Sequence, residues 1–449
     1  MNRFRDILRD IRHYPTAMAG VIMIMLLILL AVYALIKIPY GEAIRLWRGG
    51  EDVWYMNPKT APPAWFNFFS DKKQPVSFAV KSGDTEGSLM KTVTPGGQDT
   101  TAIDFSYTFD FQYDDFPQDL LLYFNTTYKS KQPFVSVYLI TPDQRKVRIS
   151  DFGVNQKQTY RFSQDEKLLK RLKSNEVIPA LFSVPGSTPQ VPLKGQYQLL
   201  INAVTFEKGS DVNAEFVFHG NVYGLAGTDS QRRDLTVPLL WGAPIALIFG
   251  LLAAMTTSIL TMIISAVGAW YGGFVDGLIQ RITEVNMVLP FLAILIMVGT
   301  FYSRTIWVIL GVSVVLSIFT SSIKSYRAIF MQVKESTYIE AARAYGASNS
   351  RIIFQYMIPR IIPLLIPTLV SSVASYVFLE ASLALLGLGD PVLPTWGKVI
   401  NDAQTYGALY KGLYYWILEP SVLLMLTGLA FAMLGFALDR IFNPRLREL

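Results

Sequence analysis

The sequence predicts an α-helical membrane protein that carries one large, mainly β domain. The chain has 449 residues, of which 51% are hydrophobic, and a mean hydropathy of +0.32. This is more apolar than a typical soluble protein. Apolar runs long enough to cross a bilayer recur along the chain, and a polar, turn-rich stretch at 38–230 separates the first run from the rest. There are no cysteines, which excludes disulfides and thiolate chemistry.

The N-terminal region predicts a membrane anchor. In residues 1–14, apolar residues recur at helical spacing among arginines, which is typical of a cytoplasmic amphipathic interfacial helix. Residues 15–37 then form the first predicted transmembrane helix. A cleaved signal peptide is the alternative, because small residues occur at 31–34. The apolar run is longer than a usual signal core, which favours a retained span.

Residues 38–230 predict a mainly β domain outside the cytoplasmic membrane. Apolar residues alternate with others at Tyr197, Leu199 and Ile201, which indicates a half-buried strand. Several similar short segments with frequent turns favour a β-sandwich. One preceding span with a cytoplasmic N-terminus would place this domain outside.

Residues 231–442 predict a five-helix core, and residues 443–449 a cytoplasmic tail. The five further apolar runs lie at 237–270, 285–303, 305–323, 361–387 and 416–438, which makes six spans in all. Basic residues cluster before the first span, in the loop after 323 and in the tail. Because positive charge stays in the cytoplasm, both termini and that loop are predicted to be cytoplasmic.

The cytoplasmic loop at 334–358 predicts two short helices. Thr337 and Glu340 have the spacing of a capping box that starts the first helix, and Gly346 can adopt the left-handed conformation that ends it. Ser348 or Asn349 would cap a second helix. Pro359 and Pro363 would break or kink that helix where the next span begins. An ordinary surface hairpin would account for this pattern taken alone.

The full pattern resembles the EAA loop of ABC importer permeases. Its elements are Glu340-Ala341-Ala342, Gly346, and Pro359 before an apolar span. Four further segments resemble the dipeptide, oligopeptide and nickel branch of that family, in the family's order: Gly227-Thr228-Asp229 with Arg233-Asp234, Tyr271-Gly272-Gly273 with Asp276, Gly387-Leu388-Gly389 with Trp396, and Asn443-Pro444-Arg445. Arg232 stands where the family usually has glycine, which puts a tight turn there in doubt.

The resemblance implies the transmembrane domain of a type I ABC importer, acting as a non-catalytic permease subunit. Expected partners are a second permease, two ATP-binding subunits that bind ATP and Mg, and an extracytoplasmic solute-binding protein. Peptides would be the cargo, with nickel or another small solute as the alternative. The residues expected to dock the ATPase are Glu340, Ala341, Ala342, Gly346, Ala347 and Pro359, with Thr337 and Ser348 as helix caps.

The residues themselves suggest no independent enzyme chemistry. A G-x-x-x-x-G-K-[ST] phosphate loop is missing from the sequence, so ATP is expected only in partner subunits and no cofactor in this chain. His13 and His219 are too far apart in sequence to suggest a shared metal site. Glu380 lies within a span, where it would line the translocation path or hold two helices together, and Asn286 is also assigned to the path.

The domain at 38–230 is unexplained by the resemblance. It would receive the binding protein, cap the path or serve a structural role. A second function class is a membrane sensor or mechanotransmission protein that moves no solute. Six spans and the loop at 334–358 favour the importer.

Overall fold

A computed structural model describes residues 14–83, 87–97 and 99–442 of the chain. The predicted tail at 443–449 and nearly all of the predicted amphipathic helix at 1–14 lie outside the described residues, as does His13. The described chain forms two compact units, one β-rich at Gly49–Thr236 and one helical, made of the segments on either side of it.

The helices are numbered in chain order. They are α1 Pro15–Lys37, α2 Tyr40–Arg48, α3 Glu51–Trp54, α4 Glu166–Leu172, α5 Val177–Phe182, α6 Thr236–Tyr271, α7 Gly273–Val288, α8 Phe291–Phe301, α9 Ile306–Ile318, α10 Ser321–Lys334, α11 Thr337–Ala344, α12 Asn349–Arg351, α13 Ile358–Leu383, α14 Trp396–Thr405 and α15 Tyr415–Phe442. Short 3-10 or π-helical segments lie at Ala64–Phe68, Phe162–Gln164, Ile352–Met357 and Ala384–Leu388.

Every strand that the structure describes belongs to the β-rich unit. They are β1 Phe78–Gly83, β2 Leu89–Pro95, β3 Thr101–Phe111, β4 Asp119–Thr127, β5 Phe134–Ile140, β6 Lys146–Gly153, β7 Lys157–Arg161, β8 Gly195–Thr205 and β9 Asp211–His219. Their hydrogen-bonded order is β6-β5-β8-β3-β2-β1-β9-β4-β7.

This sheet folds back on itself to bury one aromatic core. Strand β1 pairs antiparallel with β9 through 78–81 and parallel with β2 through 82–83, so it joins the two halves. Rings from the two halves are in contact across the core: Phe109 of β3 lies 5.8 Å from Phe216 of β9. The alternation at Tyr197, Leu199 and Ile201 is confirmed, since all three side chains are 0% exposed. The packing is that of a sandwich, although β1 makes the two halves one hydrogen-bonded sheet.

Helix α2 lies in the helical unit, although the sequence assigned 38–48 to the β domain. Ala43 of α2 is buried in a small apolar cluster with Trp241 and Ile245 of α6. Trp241 also donates a hydrogen bond from Nε1 to the carbonyl oxygen of Ile38, at 3.1 Å. These long-range contacts gave no signal in the sequence.

Within the part of the chain that the structure describes, four helices are long and apolar enough to cross a membrane, and the number rises to six if each of two bent pairs is one span. The four are α1, α6, α15 and the continuous helical segment at 349–388. The predicted spans at 285–303 and 305–323 correspond to the bent pairs, α7 with α8 at 77° and α9 with α10 at 48°. Pro290 explains the sharper bend, because a proline disfavours helical geometry in the preceding residue, and Leu289 is extended.

Close helix packing fixes α1 against α15. A Cβ atom built on Gly20 would lie 2.9 Å from the carbonyl oxygen of Ala430, so only glycine fits this approach. Small residues at such contacts are typical of helix pairs in membranes. Large apolar side chains elsewhere on α1, such as Leu26 and Leu29, are not covered by other parts of the chain. Side chains that face lipid would show the same exposure.

Candidate functional site

The first candidate site is helix α11 in the predicted cytoplasmic loop. Its N-cap residue is Ser336, and no side chain makes a cap hydrogen bond there. The prediction that Thr337 caps this helix, with Glu340 completing a capping box, is therefore wrong. Thr337 has already entered the helix, so its hydroxyl lies one position too late to accept the bond from the third helical residue.

Gly346 ends α11 in the predicted way. Its φ is +76°, a left-handed conformation that glycine adopts without steric cost. The Ala347 N–H donates to the Ala342 carbonyl at 3.0 Å, and the Gly346 N–H donates to that of Arg343 at 2.9 Å. This is a Schellman motif, which satisfies carbonyls that the helix end would leave unpaired. Ser348 then caps α12 and accepts from the Arg351 N–H at 3.4 Å.

Helix α11 has one buried face and one exposed face. Ile339 and Ala342 are buried, in a cluster that includes Phe330 and Ile353. Ala342 therefore does not lie on the outer surface, which corrects its assignment as a docking residue. The docking face is our name for the exposed residues Glu340, Ala341, Ala344, Tyr345 and Gly346; Thr337, Tyr338 and Arg343 of α11 are exposed as well. Tyr345 is 92% exposed.

Trp270 connects α11 to the end of α6. The guanidinium of Arg343 lies 4.4 Å from the centre of the Trp270 ring, and the Lys334 ammonium lies 5.9 Å from it. Lys334 Nζ also donates to the carbonyl oxygens of Ala269 and Trp270, at 3.1 and 3.0 Å. Both cations thus contact one ring through cation–π attraction, and Lys334 also caps the end of α6, where the helix dipole favours positive charge. Sequence reasoning missed this cluster because nothing local links Trp270 to Arg343.

Pro359 does not break the helix that leads into the membrane. The chain is helical from Asn349 through Leu388, with a π-helical segment at Ile352–Met357 just before the proline. The Ile358 N–H donates to the Ile353 carbonyl, five residues back. A proline removes one backbone donor, and the wider π turn accommodates this without ending the helix. Pro359 and Ala347 are both at least partly exposed, beside the docking face.

Asn286 holds the bend between α9 and α10. Its Nδ2 donates to the carbonyl oxygens of Leu316 and Phe319, at 2.8 and 2.7 Å. Thr261 of α6 donates to the Ile318 carbonyl at 3.1 Å. The bend frees these carbonyls from the helical pattern, and inside a bilayer each needs a protein donor. Asn286 also lines a cavity of about 290 Å³ with Phe291 and Ser317.

Glu380 lies in α13 and is 7% exposed. Its carboxyl group is within hydrogen-bonding reach of the Thr395 hydroxyl. The Asp390 carboxylate is close enough to act on it electrostatically. Thr395 caps α14, and Asp390 accepts from the Ile306 N–H at the start of α9, at 2.9 Å. Glu380 therefore lies beside the residue that caps α14, and both of its predicted roles stay predictions.

The turn at Arg232 is retained despite the departure from glycine. Arg232 has a φ of +68°, and its N–H donates to the Asp229 carbonyl at 3.1 Å. Its guanidinium donates to the Asn57 carbonyl at 2.6 Å, and Asn57 Nδ2 donates back to the Arg232 carbonyl at 3.0 Å. These two bonds offset the cost of a left-handed non-glycine residue, which is about 1 kcal/mol.

Among residues 14–83, 87–97 and 99–442, no group of three or more His, Asp or Glu side chains could hold a metal ion. His219 is 2% exposed and contacts Tyr55 and Arg232 in the β-rich unit. Its surroundings are those of a structural histidine.

A family model described as "Binding-protein-dependent transport system inner membrane component" matches residues 258–448. This segment contains the docking face, Asn286 and Glu380.

Named relatives align over about half of the chain. A protein of Brucella suis, provisionally named a peptide transport system permease, is 32% identical over 228 residues, which is 50% of this chain and 74% of the relative. The dipeptide transport system permease of Bacillus subtilis is 28% identical over 49% of this chain and 69% of its own. The glutathione transport system permease of Pectobacterium atrosepticum is 27% identical over 49% and 73%.

Proposed function

Because the chain belongs to the family of inner-membrane components of binding-protein-dependent transport systems, we propose that it is a permease subunit of an ATP-driven importer of di- or oligopeptides. The peptide cargo is supported by the names of the relatives. The chain would form the translocation path with a second, homologous permease, and an extracytoplasmic binding protein would deliver the cargo.

The observation that carries this proposal is the docking face of α11. One side of this short helix is fixed against the protein by Ile339 and Ala342, while Glu340, Ala341 and Tyr345 are exposed. A rigid, exposed surface with a projecting tyrosine suits a groove on an ATPase subunit. The contacts of Arg343 and Lys334 with Trp270 would carry motion from that surface into α6. The ATPase subunits would bind ATP and Mg, and this chain would catalyse no reaction.

The proposed topology places both termini and the docking face in the cytoplasm. The β-rich unit would then lie outside the cytoplasmic membrane, where it could receive the binding protein. The basic residues around 324–360 support this orientation, because positive charge is retained on the cytoplasmic side.

The test is purification of the tagged full chain from its native membrane in mild detergent, with identification of every chain that co-purifies and measurement of ATPase activity. We expect a homologous permease and ATP-hydrolysing subunits. Recovery of the chain alone, in amounts that exclude dissociation, would contradict the importer and support a sensor.

A matched pair of variants tests the docking face. Gly346→Val should release the ATPase subunits and abolish uptake, because valine is strained at a φ of +76°. Gly277→Val is the control, since Gly277 is exposed in α7, has no positive φ, and its added Cβ would meet nothing within 4 Å. ATPase subunits retained at the normal level by Gly346→Val would contradict the assignment.

A further inference from the structure

The β-rich unit carries an exposed aromatic cluster that the proposed transport function does not use. We call it the aromatic tip, and it consists of Trp65, Phe66, Phe68, Phe69 and Leu225. Phe68 is 86% exposed, Phe69 is 84% exposed and Leu225 is 75% exposed. Isolated exposed apolar residues are common, but a contiguous exposed group of this size indicates a partner surface.

The aromatic tip is held in place by specific contacts. The Trp65 ring lies 4.7 Å from that of Phe66 and 6.2 Å from that of Phe69. Trp65 Nε1 donates to the Leu225 carbonyl at 2.9 Å. Asn67 and Gln74 close the loop with two reciprocal hydrogen bonds, at 2.9 and 2.8 Å. The fold therefore presents Phe68 and Phe69 to the surroundings in a fixed arrangement.

Lysines follow the aromatic residues directly. Lys72 and Lys73 are exposed, and Lys194 lies nearby, paired with Asp114 at 2.6 Å. Asp114 also accepts from the Lys73 N–H. With Asp71 and Asp115 counted, these three lysines face three carboxylates, so the formal charges at this edge balance. Tryptophan and phenylalanine next to lysine are typical of a membrane-interface anchor. In such an anchor the rings enter the boundary between headgroups and acyl chains, and the ammonium groups contact anionic headgroups.

The covalent chain keeps the aromatic tip within reach of a bilayer. Leu225 lies eleven residues before Thr236, where the membrane-length helix α6 begins. Eleven extended residues span at most about 40 Å. The same limit of distance from α6 applies to Trp65, because its segment is hydrogen-bonded to the segment that contains Leu225. The Ala64 N–H, for example, donates to the Gly224 carbonyl at 2.9 Å. The bilayer is thus an apolar partner that the chain itself supplies.

We propose that the aromatic tip inserts into the interfacial layer of the bilayer that the chain spans. Phe68 and Phe69 enter the boundary between headgroups and acyl chains, and Lys72 and Lys73 contact the lipid phosphates. This contact anchors the β-rich unit to the membrane surface independently of the cargo.

The natural absence of cysteine makes the test direct. Phe68→Cys and, separately, Phe69→Cys in the full chain are spin-labelled and reconstituted into nanodiscs that contain anionic lipid. Collision of each label with oxygen, which concentrates in lipid, is compared with collision with a water-soluble nickel chelate. The control is Val93→Cys on β2, an apolar residue of the same unit that is 52% exposed.

We expect the labels at 68 and 69 to collide with oxygen and to lose collision with the chelate, while the label at 93 collides with the chelate. The double variant Lys72→Gln, Lys73→Gln should return part of the chelate collision in anionic nanodiscs. Free collision with the chelate at 68 and 69 would overturn the proposal. Protection from both reagents would also overturn it, since a protein would then cover the aromatic tip.

Discussion

At the residue scale, His219 is a buried base that the fold requires in its neutral form. Its Nε2 lies 3.1 Å from the Tyr55 carbonyl oxygen, so Nε2 must carry the hydrogen. Nδ1 is then an acceptor and lies 3.3 Å from an Arg232 nitrogen. A proton on Nδ1 would point at a guanidinium. Burial, followed by the charge of Arg232, lowers the pKa of His219 to about 3.

This pKa predicts an acid-sensitive β-rich unit. In the unfolded chain, His219 is protonated below the ordinary pKa of 6.5. In the folded chain, it stays neutral down to about pH 3. The free energy of unfolding should therefore fall as pH is lowered through this window, by about 2 kcal/mol at pH 5. His219→Gln keeps a donor for the Tyr55 carbonyl but cannot titrate. The unfolding temperature of the full chain, measured from pH 7 to pH 5, should fall less in this variant than in the natural chain. An equal fall in both would contradict the prediction.

At the scale of elements, the bent pair of α9 and α10 depends on side chains from other helices. Asn286 of α7 and Thr261 of α6 supply donors to carbonyls at the bend between α9 and α10. Asp276 of α7 and Arg327 of α10 form a salt bridge with two hydrogen bonds. Arg327 Nε donates to Asp276 Oδ1 at 2.6 Å, and Arg327 Nη2 donates to Asp276 Oδ2. This two-bond geometry fixes the orientation of α7 against α10 more strongly than a single charge contact.

Exchange of this pair tests its role. Asp276→Arg alone should lower transport strongly, because two cations would face each other across α7 and α10. Addition of Arg327→Asp should restore part of the uptake, since the opposite charges return in reversed positions. Uptake is measured in cells at matched membrane levels of each variant. If the double variant is no better than the worse single variant, the pair does not act through its mutual contact.

At the scale of the whole molecule, the β-rich unit is one internal stretch of the chain whose entering and leaving segments are hydrogen-bonded to each other. The Thr60 N–H donates to the Asp229 carbonyl at 3.0 Å, and Ala61 donates to the Thr228 hydroxyl at 3.0 Å. The chain can therefore be rejoined there by a short linker without stretching its flanks.

Deletion of 61–228, with a short Gly-Ser joint from Thr60 to Asp229, tests the receiving role. We expect the ATPase subunits to remain bound, because the docking face of α11 lies in the other unit. Uptake at low binding-protein concentration should fall, and the affinity for the binding protein should fall with it. Unchanged uptake and affinity would leave the unit a structural role. ATPase co-purification at the full-length level is the control for correct insertion.

The sequence determined the features that depend on neighbours along the chain. The apolar runs of α1, α6 and α15, the alternation in β8, the left-handed Gly346 and the Ser348 cap all follow from local composition and spacing. Each is an interaction within a few residues, so its signal is contained in a short window.

Only the tertiary structure decided which faces are used. Ala342 is buried, and Thr337 lies inside its helix. Asn286 donates to carbonyl oxygens that lie 30 and 33 residues further along the chain. Pro359 stays helical because the preceding turn widens. These outcomes depend on packing between segments far apart in the chain, where burial and hydrogen-bond satisfaction override local propensity.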